Sequence, residues 1–323
     1  MKAAYIDHFG PADDIQIGRL PTPEPGPTDV LVEVQTVAVN PVDTYVRSGR
    51  FRTPVAFPFV VGRDLVGTVG AVGSTTVPFR PGDRVWCNSL GHAGRQGSFA
   101  EQAVVPEDRL YRLPDGVDPR LAVAVAHPAA TAYLGLFVHA KVRPGETVLI
   151  GGGAGNVGTA ATQMAALAGA RVIATARPED DERCSAAGAE VVLDYRDPEL
   201  ADRVLEQAPD GVDLFWDTSG HNDLPLAARV CRPGARALIT ASTEPETVAP
   251  LRELYTKDVS LLGFVISRAS VAELAEAARM VNHMLARGLL STRIDDELPL
   301  SDTAEAHRRV ESGDLRGRLL LHP

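Results

Sequence analysis

A glycine-rich segment carries the strongest chemical signal in this sequence. The apolar run 147–151 (Thr-Val-Leu-Ile-Gly) leads into this segment, and an amphipathic helix is predicted over 157–168. The glycines at 153, 155 and 158 satisfy the spacing G-x-G-x-x-G in the strand–turn–helix context that the pattern requires. Such a turn lets backbone N–H groups approach a pyrophosphate, so the sequence predicts a dinucleotide site. The residues expected to form it are Gly152, Gly153, Gly155, Asn156, Val157 and Gly158.

The end of the second predicted strand indicates which dinucleotide binds. NAD sites usually place Asp or Glu about 20 residues beyond the turn, where the carboxylate binds the ribose 2′-hydroxyl. Here the strand 171–175 is followed by Ala176 and Arg177. A guanidinium favours a 2′-phosphate, and the sequence therefore predicts NADPH as the cofactor. Glu179, Asp180 and Asp181 follow closely and could oppose that charge, and an ordinary solvated arginine is the alternative interpretation.

These residues need a parallel sheet to position them at one edge. From about residue 121 the pattern alternates strand and helix, which is typical of such a sheet. Its predicted strands are 147–151, 171–175, 190–193, 212–216, 236–240 and 259–264. A later helix is predicted to begin at Ser270 with Glu273 at capping-box spacing, and to end at Gly288. The predicted fold class is α/β, with a doubly wound, six-stranded Rossmann sheet.

The first 120 residues have a different pattern, in which short β segments are broken by Gly and Pro. This pattern predicts an antiparallel, barrel-like β domain. The tail from Leu298 to Pro323 turns strand-like again and is expected to rejoin that domain. The predicted division is a first domain over 1–120, a nucleotide-binding domain over 121–265 and a returning segment over 266–323.

Composition and charge disfavour several classes of partner. The 323 residues include 42 Asp and Glu against 32 Lys and Arg, which gives a formal net charge of −10 at pH 7. We therefore expect neither nucleic acid nor an anionic membrane as a partner. Cys87, Cys184 and Cys231 are widely separated and form neither a disulfide framework nor a zinc-binding run, so a reducing, cytoplasmic location is expected.

Four segments occur in a distinctive order along the chain. They are Asn40–Gly49 (Asn-Pro-Val-Asp-Thr-Tyr-Val-Arg-Ser-Gly), 131–133 (Thr-Ala-Tyr), the glycine turn, and 192–195 (Val-Leu-Asp-Tyr). Together they resemble the medium-chain dehydrogenase/reductase superfamily, and within it the zinc-free, zeta-crystallin-like NADPH:quinone oxidoreductases. The resemblance implies a GroES-like β-barrel catalytic domain built from both chain ends, with a Rossmann domain between them.

The same resemblance defines the expected chemistry. Zinc-dependent members carry Cys where this chain has Asn40, and Gly-His-Glu where it has Gly62, Arg63 and Asp64. Asn is a poor zinc ligand and Arg cannot be one, so we expect no metal site. Without a Lewis acid, the expected reaction is hydride transfer from NADPH to an acceptor that is already electrophilic, such as a quinone or a conjugated enone.

The residues implied by the resemblance fall into two groups. Residues that match Asn40 and Tyr45 lie beside the nicotinamide and substrate in the family, and Arg63 is a weaker candidate for that pocket. The alternatives are a helix N-cap for Asn40, a buried structural phenol for Tyr45 and an ion pair with a carboxylate for Arg63. The cofactor residues implied are Thr131 and Ser242 near the nicotinamide and Tyr195 at the adenosine phosphate.

No general-base dyad is evident in the sequence. His127, which precedes Pro128, is predicted to be a capping or core histidine and not a proton donor, and His92 is assigned to a surface turn. Quinone reduction does not demand such a dyad, because a hydroquinone oxygen can take its proton from water.

Two other functions remain open at this point. An enone or alkenal double-bond reductase of the same superfamily would differ only in the acceptor. A non-catalytic NADPH-binding protein, like some crystallin or RNA-binding relatives, would show no turnover, and the acidic charge disfavours RNA binding. A homodimer is also implied by the resemblance, with the edge strand near 259–264 at the interface. The leading prediction is a zinc-independent NADPH:quinone oxidoreductase.

Overall fold

The computed structural model describes residues 1–75 and 78–323. The chain divides into two compact units, the first made of Met1–His127 with Ser270–Pro323 and the second of Pro128–Ala269. The junctions fall a few residues later than the boundaries at 120 and 265. The first junction lies inside a helix, where a change of sequence pattern gives no signal.

The first unit consists mainly of β-strands. In chain order they are β1 (Lys2–Ile6), β2 (Gln16–Arg19), β3 (Asp29–Ala38), β4 (Phe59–Val60), β5 (Leu65–Val72), β6 (Arg84–Cys87), β7 (Gln102–Pro106) and β8 (Tyr111–Arg112). Helix α1 (Pro41–Arg47) follows β3, and α2 (Pro119–Tyr133) leads into the second unit. The long strand β3 pairs antiparallel with both β5 and β7, and its Val30 and Val32 are fully buried. The antiparallel β domain predicted for this region is confirmed.

The second unit is a parallel sheet with helices packed on it. Its elements are β9 (Thr147–Gly151), α3 (Asn156–Leu167), β10 (Arg171–Ala176), α4 (Asp181–Ala186), β11 (Val191–Asp194), α5 (Leu200–Gln207), β12 (Val212–Asp217), α6 (Leu224–Val230), β13 (Cys231–Ile239), α7 (Leu251–Thr256) and β14 (Ser260–Gly263). All its strand pairs are parallel, in the order β11-β10-β9-β12-β13-β14. The predicted Rossmann sheet is confirmed. β13 begins at Cys231, earlier than expected, because Cys231 pairs with Val212 across a bulge.

This strand order creates the crevice that binds ligands in doubly wound sheets. The order reverses between β9 and β12, so the chain leaves their carboxyl ends in opposite directions. Val148, Leu149 and Ile150 of β9 are fully buried, as expected for a central strand covered on both faces.

The end of the chain completes the first unit. It contains α8 (Val271–Ala286), β15 (Ile294–Pro299), α9 (Thr303–Ser312) and β16 (Arg318–His322). β16 pairs antiparallel with β3, and the predicted capping box at Ser270 and Glu273 is confirmed. The expectation that the whole tail is strand-like is wrong for α9. Thr303, Ala306 and His307 face inward there at helical spacing, and the helix is capped by Gly313 with φ +75°.

Helix α2 continues as a π-helical segment, Leu134–His139. Within the described residues, Pro119–His139 is the one helical stretch long and apolar enough to cross a membrane. Of its most apolar window, 78% is buried inside the protein, as in the core helix of a globular fold.

Candidate active site

The glycine turn after β9 is shaped by close backbone contacts. Gly152 has φ +67°, in the region that favours glycine. A Cβ on Gly153 would lie 2.8 Å from the Ala174 side chain of β10, and one on Gly158 would lie 2.1 Å from the Gly152 carbonyl oxygen. The positive φ thus belongs to Gly152, whereas Gly153 and Gly158 allow close packing of strand, turn and helix.

The amino end of α3 offers backbone donors to an anion. Gly155 is its N-cap residue, and no side chain of the described residues caps the helix there. The N–H groups of Asn156 and Val157 therefore lie in an uncapped first turn. Thr218, which follows β12, donates from its hydroxyl to the Gly151 carbonyl at 2.8 Å and so fixes the turn from the other side of the crevice.

Two cationic residues and a phenol meet where β10 and β11 end. Arg177 donates a hydrogen bond to the Tyr195 hydroxyl and lowers the pKa of that phenol. The Arg196 guanidinium lies 5.3 Å from the centre of the Tyr195 ring. Tyr195 is 45% exposed, so this group faces solvent. The sequence pointed to Arg177 and Tyr195 but not to Arg196, whose position next to Tyr195 was the available signal.

Thr131 and Ser242 lie in different surroundings. Thr131 is buried in α2, whereas Ser242 is exposed in the loop after β13 and donates from its hydroxyl to the Glu244 carbonyl. Their assignment to the nicotinamide end of the cofactor stays a prediction.

In the first unit, Asn40 lies inside a buried network. Its backbone stands at the N-cap of α1, before Pro41. Its side-chain oxygen accepts a hydrogen bond from Arg318 at 2.8 Å, and its amide nitrogen donates to Asp64 at 2.9 Å. Asn40, Asp64 and Arg318 are each at most 1% exposed. Helix capping and a side-chain network therefore coexist at this residue.

Asp43 and Arg63 complete the buried charges around this network. Asp43 accepts the Asn40 backbone N–H at 2.7 Å. Burial, and then repulsion from Asp64, raise the pKa of Asp43 to about 7. Burial lowers the pKa of Arg63, which lies near both carboxylates. Asp43 and Arg63 also line a cavity of about 10 Å³, the size of one water molecule.

His127 lies at the side of this network. Its Nδ1 is 3.4 Å from the Asn88 carbonyl oxygen and 3.6 Å from the nearer oxygen of Asp64. The His127 side chain is 12% exposed, whereas that of Asp64 is completely buried. Sequence reasoning missed this pair because nothing local in the chain links the two positions.

Tyr45 is the most accessible of the residues predicted near the acceptor. It is half-buried on α1, and the Arg50 guanidinium lies over its ring, 4.7 Å from the centre. Asn40 and Arg63, in contrast, are almost completely buried.

The thiols of this chain are buried. Burial raises the pKa of Cys87 and Cys184 to about 11 and that of Cys231 to about 12, so all three are protonated at neutral pH. In the part of the chain that the structure describes, no group of three or more His, Cys, Asp or Glu residues is arranged to hold a metal ion.

Two protein families match this sequence. One is the alcohol dehydrogenase GroES-like domain, over residues 26–115, and the other is described as zinc-binding dehydrogenase, over residues 156–283. The first match lies in the β-rich unit and most of the second lies in the Rossmann unit.

Full-length relatives agree with both matches. The quinone oxidoreductase of Sus scrofa is 31% identical over 325 residues, 99% of this chain and 97% of the relative. A solved NAD-dependent alcohol dehydrogenase has a TM-score of 0.91 at 30% identity, and a mycobacterial protein solved with NADPH has 0.87 at 28%; both alignments cover all of both chains. These relatives and the Rossmann sheet identify an oxidoreductase that uses a nicotinamide cofactor. The chain belongs to the quinone oxidoreductase family of the medium-chain dehydrogenase/reductase superfamily.

Proposed function

We propose that this protein transfers a hydride from NADPH to a quinone or a related conjugated carbonyl compound, without zinc. The observation that carries the proposal is the buried network in which Asp64 and Arg318 hold both ends of the Asn40 carboxamide. An amide and a guanidinium stand where the zinc-dependent members described above have metal ligands. The site thus offers no Lewis acid, which suits an acceptor that is electrophilic by itself.

The donor chemistry of this network does not fit a zinc ion. Structural and catalytic zinc sites are built from thiolate, imidazole and carboxylate ligands. Here the guanidinium groups of Arg63 and Arg318 lie beside Asp64 and would repel a cation. The zinc-binding role in the description of the matching dehydrogenase family is therefore not expected of these residues.

The second unit fits a dinucleotide, and its exposed cations favour NADPH. Gly153 and Gly158 leave no room for a side chain at the turn, and the first turn of α3 offers N–H groups to a pyrophosphate. Arg177, Tyr195 and Arg196 would hold the 2′-phosphate. NADPH, when bound, supplies the hydride. The acidic residues Glu179 and Asp180 interact with Arg177 as well, but more weakly than Tyr195 does.

Tyr45 and Asn40 are assigned different roles toward the acceptor. The half-buried phenol of Tyr45 would donate a hydrogen bond to the acceptor carbonyl and to the oxyanion that develops on reduction. Asn40 is held by Asp64 and Arg318, so it would act as a rigid polar wall of the acceptor site. Arg63 is proposed to balance the charge of the two carboxylates.

Steady-state kinetics with matched acceptors tests the proposal. We expect NADPH oxidation with a panel of quinones, with a lower kcat/KM for NADH and no change after zinc chelation. Higher turnover with a panel of enones would instead favour the double-bond reductase. Stoichiometric zinc whose removal abolishes turnover, or NADPH binding without turnover of either panel, would contradict the proposal.

We also propose a homodimer formed through β14, at the edge of the Rossmann sheet. Leu261 on this strand is 43% exposed, and Leu251 and Tyr255 of the preceding helix α7 are 68% and 69% exposed. A second copy of the same edge would cover these apolar groups about a twofold axis. Sedimentation velocity should report a dimer for the protein and a monomer for Leu261→Arg.

The three buried free thiols support a cytoplasmic location.

A further inference from the structure

Asp64 connects the acceptor-side residue Asn40 with an imidazole. One oxygen of its carboxylate accepts the Asn40 amide N–H at 2.9 Å, and the other lies 3.6 Å from Nδ1 of His127. That second oxygen is buried and has no hydrogen-bond partner among the described residues. A carboxylate in this position stabilises an imidazolium, and it also orients the ring.

Both signs of charge surround the pair of Asp64 and His127. The other charged groups are Asp43 on α1, Arg63 before β5 and Arg318 on β16, and Arg109 interacts with Arg63. The two carboxylates and the guanidiniums of Arg63 and Arg318 balance one another when both carboxylates are ionised. His127 interacts with both carboxylates, since it lies 3.6 Å from Asp64 and lowers the pKa of Asp43.

His127 also bridges the buried network and the outside of the unit. It is the most exposed member of the group, with 12% of its side chain exposed against none for Asp64. Its Nδ1 faces the Asn88 carbonyl oxygen at 3.4 Å, so this nitrogen carries a hydrogen in the neutral ring. The second proton of the imidazolium is then on Nε2.

Contrary to the expectation from the sequence, we propose that His127, oriented by Asp64, donates the proton that completes reduction of the acceptor. This role rests on the proposed function, because it requires an acceptor whose oxygen becomes basic when hydride arrives. General acid catalysis of this kind contributes about 10²- to 10⁴-fold where the developing base is strong.

The step balances with the groups named. Hydride brings two electrons to the quinone and leaves a hydroquinone monoanion. The Nε2–H bond of the His127 imidazolium breaks as an O–H bond forms on the anionic oxygen. The neutral hydroquinone leaves, and His127, now neutral with its hydrogen on Nδ1, regains a proton from solvent.

The experiment compares His127→Asn with the matched control His92→Asn on a graded quinone series. The amide of Asn can keep the hydrogen bond to the Asn88 carbonyl but cannot transfer a proton. His92 is a half-buried histidine whose Nδ1 also faces a backbone carbonyl, that of Ser89 at 2.8 Å. We expect His127→Asn to lower kcat about 100-fold for the quinone with the most basic hydroquinone oxygen, and less than about threefold for the most acidic. KM, NADPH affinity and the melting temperature should stay the same, and His92→Asn should match the wild type.

Two results would overturn the proposal. One is an equal loss for every quinone, since a structural role would not follow product basicity; the other is no loss at all. Imidazole ¹⁵N spectra of the protein without cofactor give a readout independent of turnover, and they should show the Nδ1–H form of neutral His127. The opposite tautomer would also reject it. Absence of turnover by the wild type with all quinones and enones would reject the proposed function itself, and the donor role with it.

Discussion

The two polar regions of this protein solve opposite electrostatic problems. The cofactor edge of the second unit uses backbone N–H groups and exposed cations, and its Tyr195 is 45% exposed. The network of the first unit holds two carboxylates and two guanidiniums, all at most 3% exposed. Water can screen the charges at the cofactor edge, so each cation there contributes mainly to ligand selection. In the buried network every charge depends on its partners, because none can be solvated alone.

This difference separates residues that choose a ligand from residues that hold a site rigid. Removing an exposed cation should change affinity for one cofactor and leave the fold intact. Removing a buried cation should lower the free energy of unfolding of the whole unit, and any effect on catalysis would follow from that loss of stability. Substitutions in both regions test this difference, and the expected effects decrease in the order given.

Arg318→Met should produce the largest loss of stability. It removes one of the two guanidiniums beside Asp64 in a site that is completely buried, and breaking a buried ion pair in this way costs about 3–5 kcal/mol of the free energy of unfolding. Urea denaturation measures this cost. The double variant Asp64→Asn with Arg318→Met should recover part of it, since no charge is then unpaired. Equal stability of wild type and Arg318→Met would show that the network is solvated, which would contradict the difference drawn between it and the cofactor edge.

Gly158→Ala should disrupt the second unit through shape alone. Its Cβ would lie 2.1 Å from the Gly152 carbonyl oxygen, so strand, turn and helix must separate. We expect about 1–3 kcal/mol of destabilisation and loss of detectable NADPH binding by fluorescence titration. Gly234→Ala is the control for NADPH binding, because Gly234 also lies in this unit and has open space around its Cβ position. Its φ of +76° means that alanine there costs stability through backbone strain, but NADPH binding should stay normal. Normal NADPH affinity in Gly158→Ala would contradict the assigned turn.

Arg177→Ala and Arg196→Ala should each weaken NADPH binding about tenfold and leave NADH binding unchanged. The reason is that a 2′-phosphate gains from each guanidinium, whereas a 2′-hydroxyl does not. Isothermal titration with both cofactors measures the ratio. Arg203→Ala controls for general charge, since Arg203 is paired with Glu199 and Glu206 on α5. Equal losses of affinity for NADPH and NADH would show that Arg177 and Arg196 do not bind the 2′-phosphate.

The smallest net effect is that of pH on the wild type, because two buried residues contribute to stability with opposite signs. Burial lowers the pKa of His307 to about 3, and neither of its ring nitrogens has a hydrogen-bond partner among the described residues. Between about pH 3 and 6.5 the unfolded chain binds the extra proton, so His307 makes stability fall as pH falls. Asp43, with its pKa raised to about 7, makes stability fall as pH rises from about 4 to 7.

The two contributions oppose each other near pH 5, and each has a slope of at most about 1.4 kcal/mol per pH unit. His307→Leu should therefore make stability decline more steeply with rising pH, and Asp43→Asn should make it increase. Denaturation at a series of pH values tests both signs. Arg177→Ala should leave the pH slope unchanged, because exposed guanidiniums do not titrate in this range.

The second unit could be predicted from the sequence to a greater extent than the first. The glycine turn, α3 and Arg177 at the end of β10 follow from local patterns within one continuous segment, whereas Tyr195 was implied by the resemblance. The buried network could not be derived in this way, since Asn40, Asp64, His127 and Arg318 are brought together only by tertiary pairing. Asn40 was predicted from a resemblance, but its partners were not. Helix α9 was missed because its mixed polar sequence carries a weak apolar face, and burial of Ala306 and His307 decides its conformation.

The pairing of β16 with β3 affects the order in which the two units can form during synthesis. The Thr36 hydroxyl on β3 donates to the Leu321 carbonyl on β16, so the sheet of the first unit closes only after the intervening Rossmann unit has been synthesised. The Rossmann unit is contiguous in sequence, whereas Asp64 must wait for Arg318. A nascent chain that ends near residue 269 therefore has a complete Rossmann unit, an unpaired edge on β3 and no Arg318 beside Asp64. A chaperone that binds this edge would act in that interval.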